Sequence, residues 1–588
     1  MVERMERIGK AVVGLAAVWL GVMATGCGSR SGERVTRHFQ SAEVAGERRD
    51  HFGLAMEYLF SLDRARRTED KAIYHLNRWA SRQESPPDWS RDPLTQRLLP
   101  QFQAMPELKR LDRLVFSRSD RHYIDASYWL RRIADRAVTR EVPRLHRRWL
   151  REAPELTDGA RRRLTEAYQL FDWVVREVSL TPTFPYPRRF AKGPLLSGDA
   201  LAQLKLPSMA GEPGPGYRFL PWQTLVMGRG DALNRARVTI LLGRQRGLDI
   251  VLLGVDDGHV FRPAPWLLGV CLEGDLYLFD PQLGLPLPGK APGSIGRWKE
   301  LRGLDAWPVA LSVGEHQYGR TPADLQRVTA LIDASPEALS ARMALLEASL
   351  PRRYEATLTV HPAEIARRIE ECGEHFAGPD RIRLWNVPYE AVLFQRQVKK
   401  YIDNYSRLAA DDLRALAMVE QLPVLREGRR RHFLGLLNND GDDLGAKALY
   451  LKSRTPNAVL EQLVTSRSAQ QKMGLAKGDS ESAQQHQMRL FQNIMQRRQA
   501  KYYASYWLAL AHYDTGMFDV AADWFGEKTL KAFPDAEWND AARYNLARCF
   551  EARGRLDEAV AQLKRAGGPQ QLGNLLRSAF LANEAPAD

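Results

Sequence analysis

Cysteine is scarce in this chain, with four residues in 588: Cys27, Cys271, Cys372 and Cys549. So few thiols exclude a disulfide scaffold, and the absence of any CxxC spacing excludes a structural zinc module of the usual kind. Long apolar runs are also lacking: beyond residue 33 none is long enough to cross a bilayer. Apolar and charged residues, at 44% and 27%, stand at ordinary globular levels, which rules out a wholly disordered or collagen-like chain. At about 100–200 residues per domain, the length implies roughly two to five domains. A known nucleic-acid motif is missing as well, although the net charge is +14. The arginines are spread along every segment, so the charge reads as solvated surface and no nucleic-acid partner is expected.

The N-terminus is the most legible segment. Arg4, Arg7 and Lys10 precede an uncharged stretch from Ala11 to Ala24. That stretch rises about 21 Å as a helix, short of a hydrocarbon core of about 30 Å. A charged start, in which those three bases stand against Glu3 and Glu6, a short apolar middle and small residues after it read as a secretory signal peptide. Ala24-Thr25-Gly26-Cys27 resembles the lipobox of bacterial lipoproteins, with Ala24 where leucine is usual. The resemblance implies cleavage after Gly26 and a diacylglyceryl thioether on Cys27, a lipid anchor stronger than one acyl chain. The alternative is an ordinary signal peptide with an incidental cysteine. The composition of residues 28–32 reads as a tether. With no Asp after Cys27, the lipoprotein reading implies the cell envelope, anchored in the outer membrane and facing the periplasm.

Apolar spacings of three and four predict helices across 33–180, including 51–60 and 68–79. Residues 181–221 hold eight of the 33 prolines and read as a long loop. A helix over 231–246 with Gly247 as its stop, a buried strand over 249–255 and a hairpin of 266–272 with 276–279 follow. The pattern then predicts an exit loop over 281–294, helix over 322–350, a strand over 354–360 and a helix over 362–371. Polar residues 466–485 read as a linker, with helices from there almost to the end.

The order of helix, helix, strand and hairpin over 166–290 resembles the transglutaminase-like (papain-type) superfamily. Gly228-Arg-Gly-Asp-Ala-Leu-Asn-Arg-Ala236, followed by Leu-Leu-Gly-Arg-Gln-Arg-Gly-Leu-Asp249, is similar to the pattern around that family's nucleophile. The resemblance implies a thiolate at the start of a helix, a histidine base on the facing strand and an orienting acid on the next. Here Ala232 stands at the nucleophile position and Ala264 at the base position, and only Asp280 matches. A methyl group can neither attack a carbonyl nor relay a proton. The resemblance therefore implies a pseudoenzyme with a vestigial Asp280 and no cofactor.

Two other constellations compete with it. Cys271 and His259 share the segment of Asp280, and a relocated dyad would make a cysteine peptidase or acyltransferase. A cysteine inside a strand lacks a helix N-terminus to lower its pKa, so it reads as a small hydrophobe. Cys372, His375 and His361 have metal-like spacing, but no fourth ligand is apparent. A third reading is a sugar- or polymer-binding module, with Trp222 and Trp266 lining the vacated cleft.

Near the C-terminus, Leu508, Ala509, Tyr513, Gly516, Phe518, Ala521, Phe525 and Pro534 form a pattern resembling a tetratricopeptide repeat. Most offsets recur 38 residues later in Leu546, Ala547, Gly554, Leu556 and Ala559, with Phe550 one place off. Such repeats imply a protein partner. The expected organisation is α+β and mainly helical: signal peptide 1–26, helical region 27–165, transglutaminase-like domain 166–312, mixed region 313–465, linker 466–485 and helical repeats 486–588. The expected function is scaffolding or recruitment at a membrane surface.

Overall fold

The computed structural model describes residues 50–583, apart from 62–67, 143–146, 148–149, 151–155, 183–218, 257–262, 291–293, 306, 379, 394–418, 420–421 and 537. The signal segment, Cys27 and His259 lie outside the described residues, as does most of the proline-rich 181–221 stretch. No described helix is long and apolar enough to cross a membrane.

The chain is mixed α and β, with 58% helix against about 10% strand. Its longer elements begin with α1 (His51–Phe60), α2 (Glu69–Ala80), α3 (Arg118–Ala137) and α4 (Asp158–Glu177). Next come β1 (Ser179–Leu180), α5 (Pro221–Met227), β2 (Arg229–Gly230) and α6 (Ala232–Gln245). The strands β3 (Ile250–Val255), β4 (Ala264–Leu272), β5 (Asp275–Asp280), β6 (Leu285–Pro286) and β7 (Val328–Ile332) follow. Then come α7 (Ala341–Ser349), α8 (Pro362–Glu370), β8 (Ile382–Leu384), α9 (Pro423–Leu434), α10 (Ala446–Lys452), α11 (Asn457–Thr465) and α12 (Arg467–Lys472). The chain closes with α13 (Ala483–Asp514), α14 (Phe518–Phe525), α15 (Asn539–Ala552), α16 (Leu556–Arg565) and α17 (Gln571–Ala582).

Six strands form one sheet in the order β6-β5-β4-β3-β7-β8, antiparallel except for the parallel pair β7–β8. The β4–β5 hairpin turns through two residues, Glu273 (φ 47°) and Gly274 (φ 72°). Two successive left-handed residues are what a tight hairpin needs to match strand twist. Both faces of the sheet are covered. On one, Phe171 of α4 packs 5.1 Å from Phe279, and α6 adds Val238 and Leu242. On the other lie Trp266, Trp298, Ile369 and Phe376. Burial on both sides explains why β3 reads as an uninterrupted apolar run rather than an alternation.

Several segments depart from the sequence expectation. Residues 322–350 do not form one helix: β7 occupies their middle, between a single turn at Pro322–Leu325 and α7. Val328-Thr-Ala-Leu-Ile332 is wholly buried between β3 and β8, and that burial outweighs its helix-like spacing. Residues 354–360 are not a strand, because their backbone groups are satisfied by side chains. Gln245 both accepts from Thr357 N (2.9 Å) and donates to Thr357 O (2.8 Å), while Glu347 Oε2 accepts from Leu358 N and Thr359 N. The exit loop after β5 contains β6, and the 466–485 stretch contains α12, with Gln470 and Leu475 buried.

The C-terminal helices share a core with α3, α4 and α6. Tyr506, Trp507 and Trp538 lie at its centre with the aliphatic face of α4. The N-terminal half of α13 instead packs a separate small cluster of Leu460, Leu463, Leu475, Leu490 and Ile494.

Candidate functional site

Asp231 caps α6, accepting from Leu233 N at 3.0 Å and Asn234 N at 2.9 Å, and Asn234 Oδ1 accepts from Asp231 N at 3.2 Å. This reciprocal cap starts the helix one residue before Ala232, which is buried. One turn on, the guanidinium of Arg235 is wholly buried. It donates to Val178 O (2.8 Å), Val175 O (3.2 Å) and Pro281 O (3.4 Å), joining the end of α4, α6 and the exit of β5. Burial lowers its pKa to about 10, with Tyr544 and Tyr506 as weaker opposing influences.

Asp280 lies at that exit. Its Oδ1 accepts from Gln282 N (2.7 Å) and Leu283 N (3.0 Å), and its Oδ2 accepts from the Tyr318 hydroxyl (2.6 Å). Trp266 Nε1 donates to the same hydroxyl at 2.6 Å. Burial raises the Asp280 pKa, partly offset by the Tyr318 bond and the two amide bonds. Burial also pushes the Tyr318 phenol well above its ordinary value. The side chains of Trp266 and Tyr318 belong to the face carrying Leu276 and Leu278, whereas α6 packs against the face carrying Tyr277 and Phe279. Ala264, in register with Val255, falls on the Leu276 face by strand alternation. The structure thus brings together Asp280, Tyr318 and Trp266, with the body of α6 on the opposite side of the sheet.

The alternative candidates separate. Cys271 faces Cys372 across a 3.1 Å Sγ–Sγ contact and has no helix N-terminus behind it. His375 Nε2 contacts Val328 O at 2.9 Å, and His361 is exposed at the start of α8, so neither joins Cys372 in a ligand set. Trp222 stacks on His122 (5.0 Å, 11°), while Trp266 stacks on Trp307 (5.7 Å, 28°) across the molecule's other core. They do not line one cleft.

A buried ionic network was invisible in the sequence, where the arginines read as surface charge. Arg176, Arg235, Arg429, Arg548 and Arg577 are all fully buried. Arg548 reaches Asp172 at 2.6 Å and Glu551 at 3.1 Å, Arg577 grips Glu551 in a fork at 2.7–3.1 Å, and Arg176 meets Asp172 at 3.1 Å. Burial opposes the charge on Asp172, yet Arg548 and Arg176 hold its carboxyl far below the usual range. Burial likewise works against Asp514, and Arg140, His432 and Arg176 outweigh it. Ligand atoms of Glu177, His432 and Asp514 lie within 4.8 Å of one another, the spacing of a metal site. The set is a poor fit for a cation, because Arg140 (2.6 Å) and Arg176 (3.5 Å) already occupy Asp514 and Arg429 sits 3.6 Å from Glu177.

One group of exposed apolar side chains borders a groove on α11 and α13. This groove of about 350 Å³ is lined by Leu460, Met495, Tyr502 and Phe533. Val464 and Phe491, one helical turn from Leu460 and Met495, are 65% and 49% exposed. Comparisons with protein-family models, with curated proteins and with solved structures find no match to this chain.

Proposed function

We propose that the protein is a membrane-anchored scaffold or recruitment lipoprotein of the cell envelope, carrying a transglutaminase-like region without catalysis. The observation that carries this reading is the chemistry of the three candidate positions, of which Ala264 and Asp280 stand on one face of the sheet while the body of α6 packs on the other. Ala232 and Ala264 supply no nucleophile or base, and both oxygens of Asp280 are committed to the 281–283 turn and Tyr318. The acid that would orient a catalytic imidazole instead shapes a turn. The helix–strand–hairpin order around α6 supports the family resemblance. The paired helices from α13 to α16 support the repeat resemblance.

The partner contact is assigned to the strip of Val464, Phe491 and Met495 along α11 and α13, beside the buried Leu460. Its exposed apolar side chains flank a groove and lie on the chain's C-terminal side, far in sequence from the Cys27 tether. The test is co-purification of the full chain from detergent-solubilised membranes, wild type against Phe491→Asp with Met495→Asp. Loss of co-purifying proteins with an unchanged melting temperature is expected, together with no ammonia release from glutamine peptides by the wild type. An identical partner set would remove the strip from the interface, and turnover abolished by Cys271→Ala would make the chain an enzyme.

A further inference from the structure

Cys271, half-buried on β4, and Cys372, fully buried two residues beyond α8, bring their sulfurs to 3.1 Å although 101 residues separate them in sequence. A disulfide bond is about 2.05 Å long, so closure asks for an approach of roughly 1 Å. We propose that this pair is a thiol–disulfide site, with Cys271 as the attacking thiol and Cys372 as the resolving one, closed by exchange with a disulfide-bearing oxidant.

The assignment of roles follows from the surroundings. Cys271 retains solvent access, whereas Cys372 has none. Either sulfur can donate across the contact, and both lie near the Arg368 carbonyl; with Cys372 as donor, that bond and the nearby Arg368 guanidinium favour a thiolate at Cys271 against burial, Asp249 and Glu371. Cys372 is held in the thiol form by that same bond and by burial, with its sulfur 3.4 Å from the Arg368 carbonyl. A reachable, thiolate-prone sulfur beside a sheltered partner is the arrangement that exchange chemistry uses.

The step balances as follows. The Cys271 thiolate attacks one sulfur of the oxidant's disulfide, forming a mixed disulfide and expelling the other sulfur as a thiolate. Cys372 loses its proton and attacks Cys271 Sγ, breaking the mixed bond and expelling the second thiolate. Two electrons pass to the oxidant, and β4 becomes tied to the segment following α8. The loop so closed contains β5, β6 and β7, so the crosslink would tether a large part of the sheet's chain at one point on β4. Cys549 is buried on α15 and takes no part. This inference is independent of the proposed scaffold role.

The test incubates the reduced full chain with oxidised glutathione, blocks free thiols with N-ethylmaleimide and maps peptides without reduction. The expected result is a Cys271 peptide linked to a Cys372 peptide, about 2 Da lighter than their sum, with two glutathione thiols released per chain. Cys372→Ser should stop at a glutathione adduct on Cys271. Recovery of both wild-type cysteines unlinked, whether free or separately capped, from a chain that still unfolds cooperatively would overturn the proposal. Because the wild type decides it, a poorly folding variant cannot rescue or sink the idea.

Discussion

Asp280 accepts from two backbone amides and one buried hydroxyl, and an Asp280→Ala variant leaves all three donors without their acceptor. The expected cost is about 1–3 kcal/mol for the unmet groups, with Asp280→Asn losing less. Chemical denaturation midpoints check this, and equal midpoints for Ala and wild type would remove Asp280 from the turn. Arg548 presents a harsher case, since its loss leaves Asp172 with Arg176 and Glu551 with Arg577 as the ion-pair partners that remain. Arg548→Met should cost about 3–5 kcal/mol, and adding Asp172→Asn should return much of it, because Arg577 still serves Glu551. A strictly additive double variant would show that the pair is not coupled. The structural use of Asp280 was legible from Asp280-Pro281 at the end of a predicted strand. The use of Arg548 was not, because its partner lies 376 residues away in sequence.

Among the elements, α13 and α15 end alike. Gly516 and Gly554 both adopt φ 73°, and in both turns the next amide reaches back to the carbonyl five residues earlier: Met517 to His512 (3.0 Å) and Arg555 to Phe550 (2.9 Å). This is the left-handed helix stop that glycine favours. A Cβ at either position would meet nothing within 4 Å, so only the backbone conformation is penalised. Gly516→Ala and Gly554→Ala should therefore cost similar amounts, about 1–2 kcal/mol each. A near-zero cost at one of them, by thermal melts, would break the equivalence of the two helical pairs. Local chemistry made α6 and the β4–β5 hairpin readable: a capping aspartate, a stop glycine and a two-residue turn lie beside the residues they control. β7 was unreadable by the same means, since what makes it a strand is β3 and β8 on either side.

At the scale of the whole molecule, the C-terminal helices complete the core begun by α3, α4 and α6. Asn545 Nδ2 donates to Arg176 O at 3.0 Å, and Gln282 Nε2 donates to Pro569 O at 2.6 Å, so the seam is polar as well as apolar. For this reason surface variants, not removal of 486–588, are the proper test of partner binding. The seam also sets the acid response. Asp172 and Asp514 have depressed pKa values, so their stabilisation is complete above the unfolded value of about 3.9 and is lost as pH falls below it. Asp275, Asp280 and Glu337, raised by burial, act with the opposite sign and above the unfolded value, where acidification relieves the cost of burying their charge. The melting temperature should not fall above about pH 5 and should drop below about pH 4, with a shallower drop in Asp172→Asn. Curves of equal slope for variant and wild type would place the acid sensitivity outside the seam.

Local patterning of residues is enough to place α1, α2, α6 and α8, the start of β3 and the hairpin turn, and to show that positions 232 and 264 hold only methyl groups. Each of these depends on neighbours within a few residues, or on the identity of one side chain. Long-range packing set the placement of β7, the burial of five arginines, the contact of Cys271 with Cys372 and the union of the C-terminal helices with α4. Those outcomes depend on contacts between residues tens to hundreds of positions apart, where an arginine beside a carboxylate reads in sequence like one facing water. Burial, and the partner that makes burial tolerable, are properties of the packed chain.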